Sequence, residues 1–172
     1  AHERASDRTA EAMVKIEQQT NKSVDIVVMV QGDEPLVTPS MISDSIAPFE
    51  SSAVKVVNLM ARIEEEEHFE DPNEIKVVVN QNNNAIYFSR SPIPSRTRSL
   101  EVPMYKQVCI IPFRRDYLIE FNAMDETLLE KAESIDMLRI LERGEAVRMV
   151  STNESSYSVD TEDRRAYVES IM

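Results

Sequence analysis

The sequence predicts an α/β layer fold in one domain, with a mixed, mostly parallel sheet. Three observations lead there. Strand-like and helix-like segments alternate along the chain, with one hairpin inserted. Residues 25–30 (Asp-Ile-Val-Val-Met-Val) form an unbroken apolar, β-branched run, the pattern of a central strand covered on both faces. The length, 172 residues of which 42% are apolar and 29% charged, suits a single domain with a real core.

The elements follow in order. Thr9, Ala12, Met13 and Ile16 recur at i, i+3, i+4, i+7, which predicts an amphipathic helix capped by Ser6 or Asp7. The 25–30 strand ends in the polar turn Gln31-Gly32-Asp33-Glu34-Pro35. Thr38-Pro39 starts a second helix, with Thr38 as cap and proline at the first helical position. Residues 53–63 read as a strand. Glu64 to Glu67 read as the solvated start of a short helix, with His68 exposed behind them. Residues 75–79 and 85–89 are two strands joined through Asn80-Gln81-Asn82-Asn83-Asn84, a hairpin turn built without glycine because asparagine tolerates positive φ. Ser91-Pro92-Ile93-Pro94 is an extended loop flanked by Arg90, Arg96 and Arg98. Residues 105–113 form one further strand and 116–121 a short helix. Thr127 and Glu130 make a capping box that opens a well-buried helix running to about Arg143, where Gly144 stops it. Residues 146–151 form the last strand and 161–171 the last helix.

Composition removes several function classes. With 19 Lys+Arg against 31 Asp+Glu the net charge is −12, which opposes sequence-independent nucleic-acid binding. No apolar run is long enough to span a membrane, and no basic-then-apolar stretch opens the chain as a secretion signal. Cys109 is the single cysteine, so disulfides and cysteine-based zinc sites are out and a cytoplasmic location is expected. Average usage gives about twelve glycines in this length. The chain has two, Gly32 and Gly144, so no glycine-rich phosphate loop is present. The first residues run straight into a helical pattern without an initiator methionine, which suggests a chain that begins inside a larger protein.

Asp33 is the leading chemical candidate. A carboxylate directly after a buried strand sits at the sheet edge where open α/β folds bind ligands, and Gly32 beside it admits close backbone approach. Mg²⁺ needs one or two carboxylates in such a place, completed by phosphate oxygens and water. The competing reading is a plain strand terminator. Asp160 stands between an extended segment and a helix, where it reads either as a second ligand or as a helix cap. Glu130, Glu133 and Met137 share one face of their predicted helix, and its acids either meet sugar hydroxyls or form a solvated stripe. His2 and His68 are too few for a metal cluster, and Cys109 reads as a buried small hydrophobe within its strand.

Five ordered blocks then carry a resemblance. They are His2-Glu3-Arg4-Ala5-Ser6-Asp7-Arg8, Val30-Gln31-Gly32-Asp33-Glu34-Pro35, Asp71-Pro72-Asn73 with Ile75-Lys76-Val77-Val78, Tyr87-Phe88-Ser89-Arg90-Ser91-Pro92-Ile93-Pro94, and Leu129-Glu130-Lys131-Ala132-Glu133 with Leu138-Arg139; Val159-Asp160-Thr161 follows the same pattern near the end. With these blocks the sequence resembles the 3-deoxy-manno-octulosonate (Kdo) cytidylyltransferases, or CMP-Kdo synthetases. The resemblance implies the nucleotide-diphospho-sugar transferase fold over residues 1–172, and the reaction of CTP with a sugar acid to give CMP-sugar and pyrophosphate. It implies Mg²⁺ held by Asp33 and Asp160 as the catalytic pair. Gln31, Gln107, Glu130 and Glu133 would lie at the sugar, and Arg8 with the backbone near Ser6 at the nucleotide. The protein would be a homodimer, with residues 87–94 part of the contact.

Three departures from the family pattern qualify the expectation. The family's opening strand and triphosphate-gripping basic loop are not in these residues, so the chain corresponds to roughly the later two thirds of a member. Arg4-Ala5-Ser6 stands where the family has S-G-T. Lys106-Gln107-Val108-Cys109-Ile110-Ile111 and Asp136-Met137 replace polar sugar contacts. A lost polar contact is worth on the order of 1–3 kcal/mol, so altered or relaxed sugar choice is expected. Two other readings stay open: a transferase of the same fold for a sialic-acid-like nonulosonate, and a non-catalytic dimerisation module.

Overall fold

The computed structural model describes residues 2, 4–98, 101–154, 157–159 and 161–171. Asp160 therefore lies outside the described residues. The chain runs α1 (Ala5–Thr20), β1 (Ile26–Val30), α2 (Pro39–Ile46), a 3₁₀ turn (Ala47–Glu50), β2 (Val57–Arg62), α3 (Glu66–Glu70), β3 (Lys76–Val79) and β4 (Ala85–Ser89). It continues through β5 (Tyr105–Val108), β6 (Ile110–Arg114), α4 (Arg115–Asn122), α5 (Leu128–Glu133), α6 (Met137–Glu142), β7 (Arg148–Thr152) and α7 (Glu162–Ile171).

Five strands pair in the order β4-β3-β5-β2-β7, and β1 pairs with β6 in a two-stranded ribbon. The α/β class and the mixed sheet are as expected, while among the described residues the parallel share of the pairing is smaller than expected. The parallel component is the β2–β7 ladder, and the other ladders run antiparallel. Successive β2 residues split between the two faces. Leu59 and Ala61 join Met41, Val108 and Ile110 under α2, whereas Met60 joins Phe88, Phe113, Phe121, Leu138 and Ile140 on the other side. Period-two alternation with both faces covered makes every β2 position but the last buried.

Four expectations are corrected. Among the described residues β1 has only β6 beside it, and its first three residues are half-buried, so the central position expected for it is not seen within this chain. Its continuous apolar run matches cover on both faces, with Val27 and Met29 on one side and Val28 on the other. The 105–113 strand is two strands. β5 stops at Val108, just before Cys109, and pairs with β2 and β3, and β6 departs to pair with β1. The single helix expected from Thr127 is also two, because Ser134 takes the left-handed conformation (φ 55°) after α5. Its Leu128 is exposed instead of buried. Finally α1 starts at Ala5 with Arg4 as its N-cap and no capping side chain, so neither Ser6 nor Asp7 caps it.

Other local signals hold. Thr38 Oγ1 accepts the Met41 N–H with Pro39 at the first turn. In the β3–β4 hairpin Asn83 has φ 55°, and the Asn80 carboxamide oxygen accepts the N–H groups of Asn82 and Asn84 at 2.9 and 3.0 Å. His68 is half-buried rather than exposed, its ring edge-on to Tyr157.

Candidate active site

A cleft of about 310 Å³ opens where the C-terminal end of β1, the β5–β6 junction and the α5–α6 turn converge. The turn after β1 delivers Gln31 and Asp33 to it. That turn is pinned from two sides. Gln31 N–H donates to the Cys109 carbonyl (3.2 Å), and the buried Glu34 carboxylate accepts the Cys109 N–H (2.8 Å). Cys109 thus marks the break between β5 and β6. It lines the cleft half-exposed, where the sequence predicted a buried hydrophobe within a strand. Gln107 reaches the cleft from β5 and donates its side-chain N–H to Asn58, a fully buried asparagine. Asn58 in turn donates to the Val108 carbonyl (2.7 Å), so the amide of Gln107 is oriented by a buried partner.

The far segment also arrives here. Ser158 lines the cleft, and Val159 N–H donates to the Asp33 carbonyl at 2.9 Å. The main chain on either side of the sequence gap between residues 33 and 159 is therefore hydrogen-bonded together beside the Asp33 carboxylate.

Among the charged residues of the cleft, Arg4, Glu34, Glu74 and Arg90 were not expected as site residues, and Asp136 was expected only as the replacement of a family sugar contact. Arg4 reaches it from the N-cap of α1, held by Glu126 (3.0 Å) and Asp136 (3.1 Å). Asp136 lines the α5–α6 turn, and burial pushes its carboxyl above the usual aspartate range against the opposing pull of Arg4. Arg90, at the end of β4, is fixed by carbonyls: Nε donates to Glu133 O (2.7 Å) and Nη1 to Pro72 O (3.0 Å). Arg4 stood out only as part of the Arg4-Ala5-Ser6 stretch that departs from the family's S-G-T. Arg90 stood out only as a charge beside a proline loop.

Four expected site residues stand elsewhere. Glu130 is corrected outright. It is fully buried in a two-pronged pair with Arg139 (2.6 and 2.8 Å), and its Oε2 also accepts the Thr127 N–H (3.2 Å). This carboxylate faces the core, not the cleft. Glu133 does not line the cleft either. It accepts from Ser89 Oγ and from the Arg90 N–H, both at 2.9 Å, and so supports Arg90 from behind. Ser6 is buried within α1, its carbonyl accepting from Asn122 (3.0 Å), and the neighbouring Ala5 is the cleft residue. Arg8 is exposed and lines a separate hollow of about 270 Å³ on the other side of Gly32 and Asp33.

The cleft holds hard oxygen donors, which suits a divalent cation of the Mg²⁺ type. Such an ion takes one or two carboxylates and completes its shell with phosphate and water. Among the described residues no group of three or more His, Cys, Asp or Glu could hold a metal by themselves. Two arginines, Arg4 and Arg90, face four carboxylates in the cleft: Asp33, Glu34, Glu74 and Asp136. Lys106 and Arg164 offset Glu74, and Arg4 offsets Asp136, so a divalent cation would neutralise the negative charge that still opposes a polyphosphate.

Residues 1–149 match the model of a protein family described as cytidylyltransferase. A 3-deoxy-manno-octulosonate cytidylyltransferase of Pelobacter propionicus is 40% identical over 174 residues, covering 94% of this chain and 66% of the relative. That of Syntrophus aciditrophicus is 39% identical over 173 residues, covering 99% and 68%. A solved structure of CMP:2-keto-3-deoxy-manno-octonic acid synthetase complexed with CTP is similar at a TM-score of 0.87 and 32% identity, over 99% of this chain and 68% of that one. The chain has the fold that the resemblance implied, and it spans just under two thirds, 66%, of the length of the first relatives.

Proposed function

The chain belongs to the cytidylyltransferase family, and from that premise we propose that it takes part in activating a sugar acid, Kdo or a related 3-deoxy-ulosonic acid, with CTP. The anomeric hydroxyl oxygen forms a new bond to the α-phosphorus of CTP. The α–β phosphate bridge breaks, pyrophosphate leaves with the electron pair, and the hydroxyl proton passes to solvent. The observation that carries the reading is the convergence of Gln31, Asp33, Gln107 and the 158–159 segment on one cleft, in a chain 40% identical to such enzymes.

Asp33 and Asp160 would hold Mg²⁺. The Val159–Asp33 hydrogen bond supports this, since it ties the residue before Asp160 to Asp33. When bound, the cation supplies charge neutralisation of the triphosphate and of the leaving pyrophosphate. The chain's own groups do the rest. Gln31 and Gln107 hydrogen-bond the sugar, Gln107 being oriented by Asn58. Arg90, held on two carbonyls, offers a fixed guanidinium to an anionic group. Arg8 meets the nucleotide from the hollow behind Gly32. Glu133 acts by keeping Arg90 in place and Glu130 by keeping the α5–α6 turn in place. With Gln107, Cys109 and Asp136 on the wall, the donor and acceptor set supports relaxed or altered sugar choice.

The protein is proposed to work as a homodimer, with β4 as an edge strand whose Ile86 is 58% exposed next to residues 87–94. A cytoplasmic location fits a single free cysteine, and no helix among the described residues is long and apolar enough to cross a membrane. The test is pyrophosphate release and CMP-sugar formation from CTP, Mg²⁺ and a panel of sugar acids. Formation of a CMP-sugar that requires Mg²⁺ and Asp33 supports the reading, and the preferred acid separates Kdo from a nonulosonate. CTP binding with no product from any acid favours a binding or dimerisation module.

A further inference from the structure

We propose that Arg164 is a positioning residue which clasps the C-terminal helix α7 to the cleft wall and thereby holds the 157–159 segment against Asp33. The inference rests on the proposed divalent-cation role of Asp33.

Hydrophobic burial holds α7 poorly. Val168 is its one buried side chain, and Tyr167 and Ile171 are about half exposed. Its polar attachment is much stronger. Arg164 Nη2 lies 3.1 Å from Glu74 Oε1 and 3.3 Å from Asp71 Oδ2. Glu74 is 5% exposed and takes a second cation, Lys106, at 3.0 Å. Lys76 is fully buried, and its ammonium donates to the main-chain carbonyls of Asp71 (2.7 Å) and Glu74 (2.6 Å). The loop that presents both acids is therefore pinned by contacts that do not involve α7. Few charge pairs at a protein surface matter, but a pair whose acid is this buried and already fixed loses little side-chain entropy on forming.

The same network reaches the cleft by two routes. Glu74 is itself a cleft residue. Tyr157 lies with its ring over Lys106 (5.4 Å) and edge-on to Tyr167 of α7 (5.0 Å), and two residues later Val159 N–H bonds the Asp33 carbonyl (2.9 Å). Docking of α7 and placement of the Asp33 main chain are thus one mechanical unit. If α7 has a docked and an undocked state, a cation that binds better to the docked one must favour docking, and docking must favour the cation by the same factor.

Hydrogen–deuterium exchange and Mn²⁺ titration of the full chain, both with CTP present, test this, with Arg164→Ala, Arg164→Lys and Asp33→Asn. Arg164→Ala should speed exchange of residues 157–171 about tenfold, leave β2–β7 unchanged, and weaken Mn²⁺ binding about tenfold. Arg164→Lys should recover most of both. Mn²⁺ should slow exchange of 157–171 in the wild type and not in Asp33→Asn. Unchanged exchange in Arg164→Ala overturns the clasp. Faster exchange with unaltered Mn²⁺ affinity overturns the positioning role and leaves the metal reading standing. A wild type that binds no Mn²⁺ overturns the metal reading and the coupling with it.

Discussion

Replacing Arg139 with methionine should cost about 3–5 kcal/mol, because it strands a charge in the core. Glu130 is fully buried and Arg139 is 5% exposed. Both guanidinium contacts to Glu130 are short, 2.6 and 2.8 Å. Without them the carboxylate keeps only the Thr127 N–H. The carbonyls of Phe121 and Met124 lose a donor as well, at 3.1 and 3.2 Å, and the Phe121 ring loses the cation 4.6 Å from its centroid. At roughly 2–4 °C per kcal/mol for a domain of this size, the melting temperature should fall by about 6–20 °C. Removing both charges, in Arg139→Met with Glu130→Leu, deletes the unpaired group and should recover most of the loss, with a coupling of at least ~2 kcal/mol in the double-mutant cycle. Urea unfolding followed by circular dichroism reads all four proteins. An Arg139→Met variant within about 1 kcal/mol of wild type, or a double mutant as unstable as the sum of the singles, would refute the assignment of Glu130 to the core.

Three further outcomes follow from single residues. The Arg115 guanidinium and then the Val24 N–H hold the Glu17 carboxyl at about 2, below its ordinary 4.5, so its stabilisation is complete above the ordinary range and is lost as pH falls through about 2. Glu17→Gln should flatten the fall in urea midpoint between those two pH values, and an unaltered slope would contradict the pairing. Asn83 sits at φ 55°, so Asn83→Ala should cost about 1–2 kcal/mol in thermal unfolding and Asn83→Gly almost nothing. Equal losses in the two would remove the backbone explanation. A Cβ on Gly32 would meet nothing within 4 Å, so Gly32→Ala should leave the melting temperature unchanged while weakening CTP binding, measured by calorimetry. Unimpaired CTP binding would show that no ligand approaches that backbone.

Local chemistry made much of the fold legible. The Asn-rich hairpin, the Thr38-Pro39 helix start and the both-face cover of β1 are written in residues that touch within a few positions of one another. The missed features are non-local. Nothing near Cys109 announces that β5 and β6 belong to different ladders, because the strand break is made by Glu34 reaching across from another loop. The α5–α6 break looks like continuous helix in sequence, since Ser134 takes its left-handed turn where Glu133 is drawn to Ser89 of β4 and to Arg90 just beyond it. The same limit applied to the site. That Asp33 lines the cleft follows from its place after an apolar strand, whereas Glu130 and Glu133, three residues apart, could not be told apart without knowing that Arg139 lies beside one and Arg90 beside the other. Arg4 and Asp136 form a pair across the cleft that no sequence spacing encodes.

The central claim is that the Asp33 cleft takes a divalent cation together with CTP. Calorimetric titration of CTP into the protein, with and without Mg²⁺ and for wild type and Asp33→Asn, tests it most directly. The account predicts saturable binding that needs Mg²⁺ and that drops at least tenfold in Asp33→Asn while the melting temperature is retained. Equal CTP affinity with and without Mg²⁺, or an Asp33→Asn protein that binds as well as wild type, would contradict it.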